Sequence, residues 1–244
     1  MSGDDLLAPL REAPDRSALI LDVDGVLAPI VARPELSEVP AATRAELERL
    51  AGVYLLVACV SGRSGEDARR LVGVEGVRVV GNHGLELDPR APELADSLRR
   101  FRETVPDIPG AWVEDKGLSF TFHYREAADP EAVEGSLEPV ARRAQEAGFE
   151  AFRGRKVLEI RPGVRVNKGT AVRVLVRESG ARRGLYAGDD TTDLDGFDGL
   201  GMAGLEHAVR VAVASEEGPA ALRDQADIVV ASPAELVSSV LRRL

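Results

Sequence analysis

Ala18-Leu19-Ile20-Leu21-Asp22-Val23-Asp24-Gly25-Val26-Leu27-Ala28-Pro29-Ile30 decides how the rest of the chain is read. An apolar run ends abruptly in two carboxylates and a glycine. Such a run, short and without polar alternation, predicts a strand buried on both faces of a parallel sheet. Side chains alternate along a strand, so Asp22 and Asp24 point one way while Val23 packs the other. Gly25 lets the backbone turn sharply straight afterwards. Two anions this close need a cation or a shared proton between them. Taken alone, the motif has a plain alternative, an edge pair of carboxylates facing water.

Outward from this stretch the chain repeats a rhythm. Ala41 to Leu50 predicts a helix with Leu47 and Leu50 on one face, stopped by Gly52. Val53 to Val60 is a second apolar run, ending in Ser61-Gly62-Arg63, and Ser64 with Asp67 opens a helix through Leu71. Val77 to Val80 leads into Gly81-Asn82-His83-Gly84-Leu85-Glu86. Strand, helix, strand, helix, strand in this order predicts a doubly wound α/β core. The rhythm breaks near Asp88. A helix over Glu93 to Glu103 is followed by strands at Ala111 to Glu114 and Leu118 to Tyr124, joined at Asp115-Lys116-Gly117. A helix starting at Asp129-Pro130 ends at Gly148, and short strands follow at Phe149 to Phe152 and Val157 to Ile160. This predicts a smaller α+β module inserted in the core, with residues 89–164 inserted between 1–88 and 165–244. The core resumes at Val166-Asn167-Lys168-Gly169-Thr170 with a helix through Glu178, then a strand, Gly184 to Ala187, running into Gly188-Asp189-Asp190-Thr191-Thr192-Asp193. Strands at Val209 to Val213 and Ile228 to Val230, a short helix between them and a closing helix from Pro233 complete it.

The 244 residues are 44% hydrophobic and 30% charged, with a net charge of -10. That fits a soluble globular chain and argues against a nucleic-acid partner, which needs a basic face. Cys59, the single cysteine, cannot form an internal disulfide, which suits a reducing compartment. Met1 to Ser17 is acidic and interrupted by Pro9 and Pro14, with no secretory pattern, and no apolar run approaches the ~20 residues that span a bilayer. The expectation is a cytoplasmic monomer without a membrane partner.

In an open α/β sheet, ligands bind beyond the carboxyl ends of the strands. Four such places carry polar groups here: Asp22 and Asp24, Ser61, Lys168, and Asp189, Asp190 and Asp193. Each alone has an ordinary reading as a turn, a solvated lysine or a helix cap. Together and in this order they fit phosphoryl transfer. Carboxylates suit Mg²⁺, a hard cation that takes oxygen ligands. A carboxylate can be the nucleophile and form an aspartyl-phosphate. Lys168 and the Ser61 hydroxyl suit the phosphate oxygens, and Asp24 is placed to protonate the leaving alcohol and then activate water.

These motifs resemble the four motifs of haloacid dehalogenase superfamily phosphatases. More narrowly, the chain is similar to the trehalose-6-phosphate phosphatases. That likeness rests on Gly81 to Glu86, on Val113-Glu114-Asp115-Lys116-Gly117 followed by His123-Tyr124-Arg125, and on Lys156 to Pro162 running into Val166-Asn167-Lys168-Gly169. The resemblance implies that Asp22 is the nucleophile and Asp24 the acid–base. It implies that Mg²⁺ is held by Asp22, the Asp24 carbonyl and Asp189, with Asp190 and Asp193 in support. The insertion becomes a cap that closes over a sugar phosphate, contacting it through Lys116, His123, Arg125 and Glu159, with Glu86 and Arg161 beside them. Arg63 and Asn167, inside the matched motifs, join the substrate-binding set. Val23 and Val26 replace the family's usual aromatic and Thr, and Leu194 replaces an acidic residue; these departures bear on which sugar phosphate is preferred. Phosphates such as sucrose phosphate or mannosyl-phosphoglycerate are the alternative substrates, and a non-catalytic sugar-phosphate sensor is the alternative function.

Overall fold

Every residue of strand β1 (Ser17–Leu21) is buried, as its uninterrupted apolar run requires. Helix α1 (Gly3–Glu12) precedes it, and α2 (Ala41–Ala51), β2 (Leu56–Val60), α3 (Gly65–Val72) and β3 (Arg78–Val80) follow. Next come α4 (Ala91–Glu103), β4 (Trp112–Asp115), β5 (Phe120–His123), α5 (Pro130–Glu146), β6 (Phe149–Gly154) and β7 (Val157–Pro162). The chain ends with α6 (Lys168–Ser179), β8 (Arg183–Gly188), α7 (Thr192–Gly201), β9 (His207–Val213), α8 (Ala220–Gln225), β10 (Ile228–Val230) and α9 (Pro233–Ser239). This computed structural model describes residues 3–31, 33–154, 156–214 and 218–244. It divides into a core unit, Met1–Leu87 with Val166–Leu244, and an inserted unit, Asp88–Arg165.

The core sheet has six parallel strands in the order β10-β9-β8-β1-β2-β3. From β1 the chain winds one way through β2 and β3; from β8 it winds the other way. The crevice between β1 and β8 is therefore the topological switch point, where such sheets take ligands. Alternation along β1 sorts the two layers. Leu19 and Leu21 pack with Leu7 and Leu10 of α1, Leu47 and Leu50 of α2 and Leu236 of α9. Ala18 and Ile20 face the other layer, with Val172 and Leu175 of α6 and Phe197 and Leu200 of α7. Asp22 continues the second set, toward α6 and α7.

Helix α1 departs from the sequence reading, which took this segment only as acidic and proline-interrupted. Pro9 lies inside the helix, and Leu7 and Leu10 are buried at 1% and 0% exposure. Burying two leucines against the sheet, at roughly 1.5–3 kcal/mol per side chain, offsets the proline in the helix, which costs about 3 kcal/mol.

The inserted unit has an antiparallel sheet in the order β4-β5-β7-β6. One face carries Phe120, Phe122, Leu158 and Ile160 and packs on Leu98 of α4 and on Leu137, Val140 and Ala144 of α5. The alternate residues, Trp112, Glu114, Thr121, His123, Glu159 and Arg161, belong to the opposite face by register. Asp115 shapes the turn between β4 and β5. Its Oδ1 accepts the Gly117 N–H at 2.8 Å, and Gly117 takes φ +77°.

Candidate active site

Lys168 is the first residue of α6, and its ammonium donates to Asp22 Oδ2 and to Asp193 Oδ1, each at 2.7 Å. Local sequence explains where the lysine starts. Asn167 caps the helix, accepting the Thr170 N–H at 2.9 Å, while Thr170 Oγ1 accepts the Asn167 N–H at 2.9 Å. Asn167, expected at the substrate, is thus occupied with the helix end. Glycines then let α6 meet α7. A Cβ on Gly169 would fall 2.2 Å from the Asp195 carbonyl oxygen, and one on Gly199 would fall 2.3 Å from that of Gly169. That close approach brings Lys168 against Asp193 although 25 residues separate them.

Asp193 is fully buried and accepts four donors. Oδ1 takes Lys168 and the Tyr186 hydroxyl (2.6 Å), and Oδ2 takes the N–H groups of Asp189 (2.9 Å) and Asp190 (3.0 Å). Burial works to raise its pKa, but Lys168, Tyr186 and the backbone donors outweigh it and hold Asp193 below the usual carboxylate range. Among the described residues Asp22 accepts Lys168 and the Val23 N–H (2.7 Å), and burial prevails and pushes it up to about 7. Asp189 is pushed up to about 8 by burial, then by the anions of Asp22 and Asp193. Burial alone would lower Lys168; Asp193 and Asp22 outweigh it and keep the ammonium charged. Tyr186 is a residue that sequence reasoning missed. Its place two residues before Gly188 reads as an ordinary strand aromatic, and only the fold turns its hydroxyl onto Asp193.

Asp22, Asp189 and Asp193 each bring a carboxylate oxygen within 4.8 Å of the others. Gly25 makes this possible. At φ +78°, a Cβ there would sit 2.0 Å from Asp189 Oδ2. The donors are all oxygens, and three carboxylates face one ammonium. That set fits a hard divalent cation. Asp193 is already saturated by its four donors, which leaves Asp22 and Asp189 as the oxygens with room. The Asp24 and Asp190 carboxylates are not in this group; Asp190 is exposed and accepts the Thr192 N–H at the start of α7.

A pH dependence follows from the two raised carboxyls. Asp22 and Asp189 titrate near 3.8 when unfolded, and at about 7 and about 8 when folded. Between these limits the folded chain holds protons that the unfolded chain has released, so stability falls as pH rises. We expect the thermal midpoint of EDTA-treated protein to drop from about pH 5 to about pH 8. Asp189→Asn should flatten that slope, and calorimetry across the range measures both.

Beside this cluster, Ser61 directly follows β2, 1% exposed, with its hydroxyl accepting the Arg63 N–H at 3.2 Å. The facing loop fixes its backbone: the His83 N–H donates to the Ser61 carbonyl at 2.9 Å and the Asn82 N–H to that of Arg63 at 2.7 Å. Asn82 and His83 both take left-handed backbone, φ 50° and 53°, a conformation side chains disfavour. Glu86 braces it, accepting the Gly65 N–H (2.6 Å), the Gly81 N–H (3.1 Å) and the Asn82 amide (3.2 Å). Glu86, expected near the sugar, therefore has its carboxylate tied into the core loops. Arg63 forks onto Asp24 at 2.6 and 2.8 Å, and the Ser37 hydroxyl donates to Asp24 at 3.0 Å.

In the inserted unit, Lys116 lies 3.5 Å from Glu159 and 3.8 Å from Glu114. Glu159 also accepts the Ser119 hydroxyl at 3.0 Å. His123 pairs with Glu114 at 2.9 Å and stacks on Trp112, ring centroids 4.0 Å apart and planes 9° from parallel. Lys116, His123 and Glu159 are thus brought together. Arg125 is exposed beyond the end of β5. Arg161 pairs with Glu150 at 2.9 Å and lies over Phe152. Trp112, 43% exposed, was not singled out from sequence; its stacking depends on the register that sets it opposite His123.

A family model described as trehalose-phosphatase matches residues 20–228. The chain is 33% identical over 214 residues to the trehalose-phosphate phosphatase of Mycobacterium marinum, covering 80% of this chain and 54% of that protein. It is 34% identical over 217 residues to an uncharacterized glycosyl hydrolase of Mycobacterium tuberculosis, covering 80% of this chain and 16% of that protein. The chain therefore spans about half the length of the one and about a sixth of the other. Among solved structures, a trehalose-6-phosphate phosphatase related protein superposes with a TM-score of 0.68 at 25% identity, over 92% of this chain and 95% of that one.

Proposed function

The chain belongs to the trehalose-phosphatase family, and from that premise we propose that it hydrolyses a sugar phosphate monoester, trehalose 6-phosphate foremost, to free sugar and inorganic phosphate. The observation that carries this reading is the buried trio of Asp22, Lys168 and Asp193 at the switch point of the sheet. An Asp22 oxygen attacks phosphorus, giving an aspartyl-phosphate, as the bond to the sugar oxygen breaks. Asp24 gives its proton to that leaving oxygen. Its carboxylate then takes a proton from water, whose oxygen attacks the same phosphorus and frees Asp22. Lys168 and the Ser61 hydroxyl bind the phosphate oxygens and offset the charge that develops on them. Asp193 and Tyr186 keep the ammonium aimed. Asp22 and Asp189, with the Asp24 carbonyl, would hold Mg²⁺. That ion supplies the positive charge that lets an anionic carboxylate meet a phosphate dianion.

We assign the inserted unit, 89–164, the part of a sugar-recognising cap, with Glu114, Lys116, His123 and Glu159 meeting hydroxyls. Lys116→Ala should raise KM for trehalose 6-phosphate about tenfold with little change in kcat, because such contacts hold substrate and transition state alike. p-Nitrophenyl phosphate, which has no sugar, should be unaffected; equal losses on both esters would remove Lys116 from sugar binding. Within its matched span the chain is proposed to act in trehalose biosynthesis as a monomer in the cytoplasm. No described helix is long and apolar enough to cross a membrane. Phosphate release across a panel of sugar phosphates, with and without EDTA, tests the reaction. Rapid turnover of another glycosyl phosphate beside negligible turnover of trehalose 6-phosphate would overturn the substrate, and undiminished turnover in EDTA would overturn the cation.

A further inference from the structure

Arg63 was expected at the substrate, yet its guanidinium faces the protein's own carboxylates. Nε donates to Asp24 Oδ2 at 2.6 Å and Nη2 to Asp24 Oδ1 at 2.8 Å, a two-point fork, while Nη1 donates to Asp67 Oδ2 at 2.6 Å. The side chain is 11% exposed, against 34% for Asp24. Its backbone is pinned from two sides, the N–H by the Ser61 hydroxyl and the carbonyl by the Asn82 N–H. Asp67 is itself anchored: its N–H donates to the Ser64 cap at 3.2 Å, and its carboxylate also pairs with Arg70. From the other side, Ser37 holds Asp24 Oδ1.

A single-point contact leaves a carboxylate free to turn about its Cβ–Cγ bond. Two parallel N–H bonds fix its plane. A proton donor must present one oxygen within hydrogen-bond reach of the leaving atom, and misplacement by an ångström can cost about a hundredfold in rate. Arg63 is the middle link of a chain of contacts that runs from Asp67, in the first turn of α3, through Arg63 to Asp24.

We propose that Arg63 is the positioning residue of the Asp24 carboxylate, acting on the reaction through Asp24 rather than by touching phosphate or sugar. This rests on the phosphatase reading above, and leaving-group chemistry separates the two. A sugar alkoxide needs a proton as it departs. p-Nitrophenolate does not, so the first p-nitrophenolate released reports on the nucleophile, the phosphate contacts and the cation but not on the acid, whereas later turnovers also need the Asp24 carboxylate as base.

Arg63→Gln should lower kcat for trehalose 6-phosphate about a hundredfold. It should leave the first release of p-nitrophenolate, followed as a rapid-mixing burst, within about threefold of wild type, while the steady state after the burst slows because freeing Asp22 still needs Asp24 as base. Arg63→Lys should recover only part of the loss, because an ammonium makes no fork. Asp67→Asn loosens the anchor with the fork chemically intact and should show the same contrast at smaller size; it decides the matter if Arg63→Gln does not fold. A p-nitrophenolate burst slowed as much as trehalose 6-phosphate turnover, or a raised KM for both esters with kcat kept, overturns the positioning role while the phosphatase reading stands. Wild-type protein that turns over neither ester overturns that reading, and this inference with it.

Discussion

Asp22→Asn should yield a folded protein whose hydrolysis of every phosphate ester is lower by at least about 10⁴-fold, the scale on which losing a nucleophile is felt. An amide has nearly the shape of the carboxylate but cannot form the acyl-phosphate. The fold should tolerate the change. Asp22 sits at 6% exposure with two donors, and burial has already pushed its carboxyl up to about 7. Replacing a poorly solvated anion with a neutral group removes a desolvation penalty and a Lys168 contact together, two terms of opposite sign. The thermal midpoint should therefore stay within a few degrees of wild type. Phosphate release measured beside a melting curve separates the effects. Retained hydrolysis would take Asp22 out of the chemistry, and a large loss of midpoint would mean that the pairing with Lys168 is the stronger term.

Lys168→Met should do the reverse to stability and also abolish turnover. Lys168 is 2% exposed and donates to two carboxylates at 2.7 Å. Methionine nearly fills its volume but leaves Asp22 and Asp193, with Asp189 near them, as buried anions without a cation. Removing one partner of a buried ion pair typically costs about 3–5 kcal/mol. In a chain of this size that is a midpoint lower by roughly 10 °C near neutral pH. The sign with pH is fixed. Without the ammonium, the folded pKa values of Asp22 and Asp189 rise further above their unfolded values and Asp193 loses much of what holds it low, so the penalty is small near the unfolded pKa and grows as pH climbs. Urea unfolding of the variant should recover toward wild type at about pH 5, and added Mg²⁺ should restore part of the loss at neutral pH. A variant that unfolds with wild type at every pH would show that Lys168 is not the counter-ion of this cluster. The two substitutions thus form a pair, since both remove activity but only the lysine change should markedly lower the midpoint.

Much of the core was legible because its signals are local. The apolar run of β1 ending at Asp22, the Ser61-Gly62 turn after β2 and the carboxylates after β8 each announce a strand end through adjacent residues. The trehalose-phosphatase match covers the same stretches. Elsewhere, contacts that the fold makes add what local chemistry does not show. No helix was read over the proline-interrupted first residues, and α1 forms there with Pro9 inside it and two leucines buried. Glu86, Asn167 and Arg63 looked like ligand groups because they stand inside motifs. Yet each carboxylate, amide or guanidinium meets a partner that lies within the core, some only a few residues away and others 39 positions off.

The amino-acid order by itself determined the α/β class, the parallel core, the inserted module and the residue types available for phosphoryl transfer. These follow from periodicity, turn residues and motif order, which are properties of neighbours along the chain. Only the tertiary structure decided what each charge does. Glycine-to-glycine contact between α6 and α7 sets Lys168 on Asp193, Gly25 makes room for Asp189, and the Arg63 fork claims Asp24. The reason is physical. A side chain's charge state and orientation depend on the few atoms within about 4 Å of it. At this site, for Lys168 and Asp22, those atoms come from positions 146 residues apart.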